Sequence, residues 1–378
     1  MGRRMNARVR TAHRLTFRFR DGSVVGANPS NGAVRRIPQP IWNILRQSTE
    51  WTESDRIRRQ LDDGVGDNQR ADEILNALVS DGFLLEEGSE AERAEATFSS
   101  NWPFGETTAD HHLVTRSLRF SDDRTEAMEF GRALRDHAGD DLAPGVPEGA
   151  TAVGLPTGSL GSGLTSSLER RRSRRDFIQE AVSLQDLSSV LWATAGIQSY
   201  REAPMRPPLP LSFAPSAGGL NGADCYVIVQ NVEGISQGVY RYRPTSNALE
   251  VVSVDVRTNA MRLLGNQRWA DTAAAIIVIV GAVSRTAWKY NAASGFNALL
   301  LQAGHMSQNA LLAAADKGLG AVPSNAIHAA EMEAALNLSP GEQIVLTSVS
   351  IGHINGATSS YQEYGDQHLD LLQKAASK

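Results

Sequence analysis

Residues 215–229 read PSAGGLNGADCYVIV: a run of small, turn-forming residues from Pro215 to Gly219, then an apolar segment from Cys225 onward. Such a turn exposes backbone N–H groups and lets a planar or phosphorylated ligand approach the main chain. An ordinary tight loop ahead of a strand would have the same composition, so the neighbouring segments must decide. GVYRYR (238–243) and ALEVVS (248–253) read as further strands, and AAAIIVIV (273–280) is apolar enough for a central strand buried on both faces. A helical pattern runs from about Phe296 to Lys317 and stops at Gly318, and a short helix and the apolar strand QIVLTSVSIG (343–352) follow. Upstream, Ser183 with Asp186 forms a capping box ahead of Leu184, Leu187, Val190 and Leu191, with Gly196 as the stop. This interleaving implies an α+β fold, a central, mostly antiparallel sheet flanked by helices.

The amino-terminal part has a different pattern. LTFRFR-DG-SVVGA (15–27) is a hairpin signal centred on Asp21–Gly22. Three short helical patterns follow, on Ile41/Ile44/Leu45, Ile57/Leu61 and Ile74/Leu75/Leu78/Val79, and then the strand FLL. Together they suggest a winged-helix-like module over residues 1–95. Its third helix, ADEILNALVSD, is acidic, which argues for peptide binding or scaffolding over DNA binding. Residues 96–163 read as a connecting segment and linker, with a Gly/Pro-rich run from 139 to 163, and residues 164–378 as the larger domain.

Composition narrows the chemistry. A formal net charge of -5 over 378 residues gives no global field that would favour nucleic acid or an anionic membrane. The one cysteine, Cys225, excludes an intramolecular disulfide, a Cys-x-x-Cys redox pair and a thiolate zinc cluster. The histidines lack an H-E-x-x-H spacing, and His111 and His112 are adjacent, so no metal site is expected. Neither a signal-peptide core nor an apolar run of membrane-spanning length is present, and the expected location is the cytoplasm. Redox chemistry in such a chain requires a borrowed cofactor.

Two further segments could hold one. LERRRSRRDF places Arg170, Arg171, Arg172, Arg174 and Arg175 around Ser173. On a helix, Arg171 and Arg175 would share a face; in a turn beyond a helix, their forks could converge on a phosphate dianion. By itself such a run is more often a solvated face. DKGLGAVPSN sets Gly318 and Gly320 on either side of Leu319, where a plain helix C-cap is the simpler reading of Gly318.

RRSRRDF, SLQDLSSVLWATAGI, PSAGGLNGADCYVIV, GVYRY, WKY, QAGHMSQNALLAAADKGLGAVP and SVSIGH occur together and in order. Jointly they resemble the SagB/ThcOx-type FMN-dependent dehydrogenases, the azoline oxidases of the nitroreductase superfamily, over roughly residues 165–355. The resemblance implies a nitroreductase-like fold and FMN as cofactor. It implies that Arg171, Ser173 and Arg175 hold the phosphate and ribityl chain with Arg172 nearby, and that Pro215, Ser216, Ala217 and Gly218 lie against the cofactor. Leu319 and Gly320 would border it, and Pro323, Ser324 and Asn325 would face the reactive edge of the isoalloxazine. Family members are homodimers with flavin at the subunit interface.

In azoline dehydrogenases of this family a Lys-Tyr pair promotes oxidation of a thiazoline or oxazoline to the azole, which makes Lys289 and Tyr290 the candidate catalytic residues. A lone Lys-Tyr is otherwise an exposed lysine beside a half-buried tyrosine. The chain departs from the family at Leu220–Asn221–Gly222, at Gln302, in NAASGFN (291–297), and in lacking an arginine after Ile351–Gly352–His353. The resulting expectation is oxidation of azolines in a ribosomally made precursor peptide, with oxygen reoxidising the flavin. The amino-terminal module would recognise the peptide or a cyclodehydratase partner. Two alternatives stand beside it: an NAD(P)H-dependent reductase of a nitro, quinone or dehydroamino-acid substrate, and a non-catalytic scaffold in a peptide-modifying complex.

Overall fold

The computed structural model describes residues 7–116, 161–202, 208–254, 258–287 and 289–355. Strand β1 (Arg8–Thr11) is followed by the expected hairpin, β2 (Thr16–Arg20) and β3 (Ser23–Asn28), turned at Asp21 and Gly22 with both residues at positive φ. A third strand, β4 (Ala33–Ile37), extends the hairpin; Arg35 and Arg36 hide it from an apolar-alternation reading. The three short helices are Gln39–Gln47, Ser54–Val65 and Asn68–Ser80. The third begins where the Asp67 carboxylate accepts the N–H groups of Gln69 and Arg70. Two brief strands, β5 (Thr52–Glu53) and β6 (Leu84–Glu86), flank β1 in an antiparallel sheet. Ile44, Leu45, Ile57, Leu61, Leu75 and Phe83 fill the core of this unit.

Two helices, Glu90–Asn101 and Glu106–Arg116, carry the chain onto the larger body. Phe98, Trp102, Phe104 and Leu113 from these helices and their connection are buried with Val283, Phe296, Leu299 and Ile344. The two adjacent histidines diverge: His111 is exposed, while His112 stacks on Trp102 with ring centroids 5.0 Å apart. Burial, reinforced by the positive charges of Arg116 and His111, pushes the His112 imidazole down to about 3. Arg116 Nε donates to Glu333 Oε2 at 2.6 Å; burial still raises the Glu333 carboxyl, because it outweighs the arginine beside it. Most of the Gly/Pro-rich run, residues 139–160, lies outside the described residues.

The larger body follows. A two-stranded ribbon, β7 (Ile197–Arg201) with β8 (Leu209–Ser212), precedes β9 (Ala223–Val229), β10 (Gly238–Arg243), β11 (Ala248–Val254), β12 (Ala275–Ala282), β13 (Gly320–Ser324) and β14 (Gln343–Gly352). The last six form one sheet in the order β11-β10-β9-β12-β14-β13, and every pairing in it is antiparallel. Successive residues of a strand point to opposite faces. Accordingly Cys225, Val227, Ile277 and Ile279 lie with the helices Leu184–Ala195 and Ala293–Asp316, through Leu187, Leu191, Met306 and Ala310. Tyr226, Ile228, Ile276 and Val278 lie on the other side with Leu264, Met332 and Leu336. Two-sided burial is why β12 reads as an unbroken apolar run. The fold is the nitroreductase-like α+β arrangement, with a small sheet-containing unit at the amino end.

Ser183 caps the helix, with Asp186 N–H donating to Ser183 Oγ at 3.0 Å and Ser183 Oγ donating to the Asp186 carboxylate at 2.7 Å. The long helix ends in a Schellman turn: Gly318 has φ +71, Leu319 N–H donates to the Ala314 carbonyl at 2.9 Å, and Leu319 is buried. No helix among the described residues is long and apolar enough to cross a membrane, and no cluster of three potential metal ligands occurs among them.

Two stability predictions follow from this packing. Ile277 is fully buried, so Ile277→Ala should cost about 2–5 kcal/mol in urea unfolding; a loss under 1 kcal/mol would contradict the two-sided sheet. His112 stays neutral in the fold while the unfolded chain protonates below its usual value near 6.5. Stability therefore falls with pH between that value and about 3, by about 1.4 kcal/mol per pH unit from this group. His112→Phe should remove that slope, as read by unfolding at pH 7 and pH 5.

Candidate functional site

The P-S-A-G segment is built from within. Ala217–Gly219 form a single 3-10 turn, with Gly218 at φ +61 and Gly219 at φ +67. Asn221, at φ +49, braces it: its N–H donates to Ser216 Oγ at 3.0 Å, its Nδ2 to the Pro210 carbonyl at 2.7 Å, and its Oδ1 accepts from Ser212 Oγ at 2.9 Å. The next residue, Gly222, donates its N–H to Oε1 of the buried Gln302 at 3.1 Å. A Cβ on Gly222 would overlap Thr286 Oγ1. His305 Nδ1 lies 3.3 Å from the Pro215 carbonyl, a hydrogen bond if that nitrogen carries the proton. The departures at 220–222 and 302 thus form one bracing network, in which glycine at 222 admits Thr286 and Asn221 ties the turn to β8. The Asn-Gly dipeptide is a turn signal in the sequence; the reach of Gln302 across 80 residues is not.

Lys289 and Tyr290 stand over this turn. A Cβ placed on Gly218 would lie 2.9 Å from Lys289 Nζ and 3.1 Å from the Tyr290 hydroxyl. The lysine Nζ is 5.3 Å from the centroid of the Tyr290 ring. The pair is fixed from both ends: Tyr290 N–H donates to the Thr286 carbonyl at 2.9 Å, and a Cβ on Gly295 would overlap the Tyr290 carbonyl oxygen. Gly295 and Phe296 belong to the divergent NAASGFN, and Phe296 enters the aromatic cluster with Trp102 and Phe104. Lys289 is exposed and Tyr290 half-buried, so this chain alone does not desolvate the lysine. Trp288 lies outside the described residues.

The arginine run gathers elsewhere. The helix Ser162–Arg170 ends at Arg171, whose backbone is extended (φ -63, ψ 119), so Arg171 and Arg175 do not share a helical face. Ser173 forms a parallel bridge with Ala321, and Arg174 N–H donates to the Ala321 carbonyl at 2.9 Å, laying the segment along β13. Arg174 is committed to Asp176 through two hydrogen bonds of 3.1 and 2.9 Å. Gly320 lies where the segment crosses, since a Cβ there would overlap Ile354 and stand 3.2 Å from Arg174 Cβ. Pro323 and Asn325 are exposed; the intervening Ser324 is buried, its carbonyl accepting from Ser348 Oγ at 3.1 Å.

The candidate residues therefore fall into two groups within one chain. Pro215–Gly218 with Lys289 and Tyr290 precede β9 and follow β12; Arg171–Arg175 with Leu319, Gly320 and Pro323–Asn325 lie along β13. β13 is three strand spacings from β9, about 14 Å. The long helix gives a similar measure: its His305 meets Pro215, while its Asp316 pairs with Arg170 (3.6 Å), eleven residues or about 16 Å further along.

Residues 168–353 match the model of the Nitroreductase family. A protein named as a nitroreductase in Methanocaldococcus jannaschii is 27% identical over 175 residues, covering 46% of this chain and 84% of its own length. Among solved structures, one from Ralstonia eutropha, also named as a nitroreductase, is 27% identical with a TM-score of 0.43, covering 56% of this chain and 89% of its own. The Escherichia coli microcin synthetase McbBCD complex with truncated pro-MccB17 is 20% identical with a TM-score of 0.41, covering 63% of this chain and 96% of the other. Residues 168–353 are thus similar in sequence to the Nitroreductase family.

The bracing of the turn makes a stability prediction. Gly222→Ala should destabilise the fold by about 1–3 kcal/mol through overpacking against Thr286. The double variant Gly222→Ala, Thr286→Ala should recover part of that loss in chemical denaturation, whereas strictly additive losses would show that the two positions do not meet.

Proposed function

We propose that this chain is an FMN-dependent dehydrogenase that oxidises thiazoline or oxazoline rings in a ribosomally made peptide to the aromatic azoles, with oxygen reoxidising the flavin. The observation that carries the reading is the convergence of Lys289 Nζ and the Tyr290 hydroxyl on Gly218 of the P-S-A-G turn. Aromatising an azoline removes a proton from the carbon alpha to the carbonyl and a hydride from its neighbour, so a base is needed beside the hydride acceptor. Lys289 and Tyr290 are the pair proposed to take that proton, and the substrate ring and the cofactor would close over their exposed side.

The donor set fits FMN. Guanidinium forks at Arg171, Arg172 and Arg175, with Ser173, suit a phosphate and ribityl chain. The Pro215–Gly219 turn can present main-chain donors to a planar ring, and a Cβ on Gly219 would meet nothing within 4 Å, leaving room for a ligand. Bound FMN would accept the hydride at its ring.

A second copy would unite the two groups of residues. The long helix presents Leu300, Leu301, Gly304, His305 and Gln308 to solvent, with Leu301 65% exposed, and Trp192 and Leu164 are exposed on helices nearby. Among the described residues nothing requires glycine at 304, where a Cβ would have open space, although glycine inside a helix costs up to about 1 kcal/mol. Close approach of a second helix at Gly304 accounts for it, and the homodimer reading places the arginine segment of one copy against the P-S-A-G turn of the other.

The amino-terminal module is read as the peptide- or cyclodehydratase-recognising part. It faces the helix Glu106–Arg116 across a groove of about 790 Å³ lined by Thr16, Arg18, Val25, Val34, His111 and Val114, among others. A groove of that size takes a short extended segment.

Purified protein should be yellow or take up added FMN, and Arg171→Ala, Arg175→Ala should weaken uptake at least about tenfold in a fluorescence titration. With a cyclodehydrated peptide, each ring should lose about 2 Da, the mass of the two hydrogens transferred. Lys289→Ala, Tyr290→Phe should abolish that loss while leaving FMN bound. Folded protein that takes up no FMN would overturn the redox reading. FMN-loaded protein that leaves azolines unchanged but is bleached rapidly by NADPH would favour the reductase.

A further inference from the structure

Asp224, the second residue of β9, carries two arginines on a carboxylate whose side chain is only 13% exposed. Arg241 of β10 donates to its Oδ2 at 2.8 Å, and Arg285 pairs with Oδ1. The two arginines differ in what they are attached to. Arg241 belongs to the neighbouring strand and lies over the Tyr226 ring at 5.7 Å, so it ties two strands of the sheet together. Arg285 belongs to the short helix Val283–Ala287, which leads directly into Lys289 and Tyr290.

The same junction is pinned at two more points. Ala282 N–H donates to the Gly222 carbonyl at 2.8 Å, and Thr286 fills the space left by the missing Cβ of Gly222. The strand that leaves the P-S-A-G turn and the helix that delivers the Lys-Tyr pair are therefore locked in one register by Asp224–Arg285, with Gly222–Ala282 and Gly222–Thr286 beside it.

We infer that Arg285, through Asp224, is a positioning residue for Lys289 and Tyr290: it sets the height of the pair over Gly218 without itself touching substrate or cofactor. The inference rests on the dehydrogenase reading above. A misplacement near 1 Å at reacting groups costs about a hundredfold in rate. An ion pair whose arginine is 40% exposed adds little to overall stability by comparison. Loss of Arg285 should thus appear in kcat and leave melting temperature, FMN affinity and KM close to those of the wild type.

The test is a set of variants of the full FMN-loaded chain assayed for mass loss on a cyclodehydrated peptide. Arg285→Ala and Asp224→Asn should each lower kcat about 10- to 100-fold, and the double variant should lose no more than the worse single one. Arg285→Lys and added guanidinium should restore part of the rate. Arg241→Ala, which removes the other partner of the same carboxylate, should keep kcat within about twofold. On a Lys289→Ala, Tyr290→Phe background, Arg285→Ala should change nothing further in any residual turnover. The inference is overturned if Arg285→Ala retains kcat, if its loss is matched by a loss of FMN or of folded protein, or if Arg241→Ala is equally impaired. A wild type that binds FMN yet dehydrogenates no azoline defeats the parent reading instead, and Arg285→Ala must then still displace Tyr290, read as altered quenching of bound FMN, for the clamp itself to stand.

Discussion

The candidate site depends on how the helix Ala293–Asp316 lies across the sheet. Met306, Ala310 and Ala314 press into the same layer as Ile277, Ile279 and Val349, which fixes the helix over β12 and β14. Each part of the candidate site is then referred to a different point along its length. Tyr290 abuts its first turn at Gly295, Gln302 and His305 reach the P-S-A-G turn at its middle, and Arg170 meets Asp316 at its end. A rigid helix sets the spacing of these groups, and so sets two clusters apart on one chain.

Holding the candidate groups in place requires positions where a side chain does not fit, and the structure supplies them around the turn. Gly222 admits Thr286, Gly295 admits the Tyr290 carbonyl, and Gly320 admits the arginine segment. Gly218 keeps clear of Lys289 and Tyr290 while adopting a left-handed φ. In each case a neighbouring group occupies the space a side chain would need, and a methyl group would displace it. The aromatic cluster of Phe98, Trp102, Phe104 and Phe296 extends this support outward, joining the amino-terminal helices to the segment that carries the Lys-Tyr pair.

Much of the fold could be read from sequence because its periodicities are strong. The run from Ala273 to Val280 is apolar at every position since β12 is covered on both faces, and Asp21–Gly22, Ser183–Asp186 and Gly318 are local signals whose geometry is set within a few residues. β1 and β4 escaped because they are short and interrupted by arginines, and the connecting segment gave no hint that its aromatic residues pack on Phe296. The site was legible as separate motifs and not as an assembly. Gln302 reaching Gly222, and Arg285 reaching Asp224, are contacts between residues 80 and 61 positions apart, with no local periodicity to announce them. The reading of Arg171 and Arg175 left helix and turn open; the structure extends the chain at Arg171, because the segment pairs with β13 at Ala321.

The central claim is that one flavin site is assembled from the arginine segment of one copy and the P-S-A-G turn with Lys289 and Tyr290 of another. Complementation tests it directly: mix inactive Arg171→Ala, Arg175→Ala protein with inactive Lys289→Ala, Tyr290→Phe protein, allow subunits to exchange, and measure azoline oxidation. Random pairing gives half heterodimers, each with one intact and one doubly impaired site, so activity should return to about one quarter of the wild-type level. Mixtures that exchange subunits yet remain inactive would place both groups in the same copy's site and contradict the account.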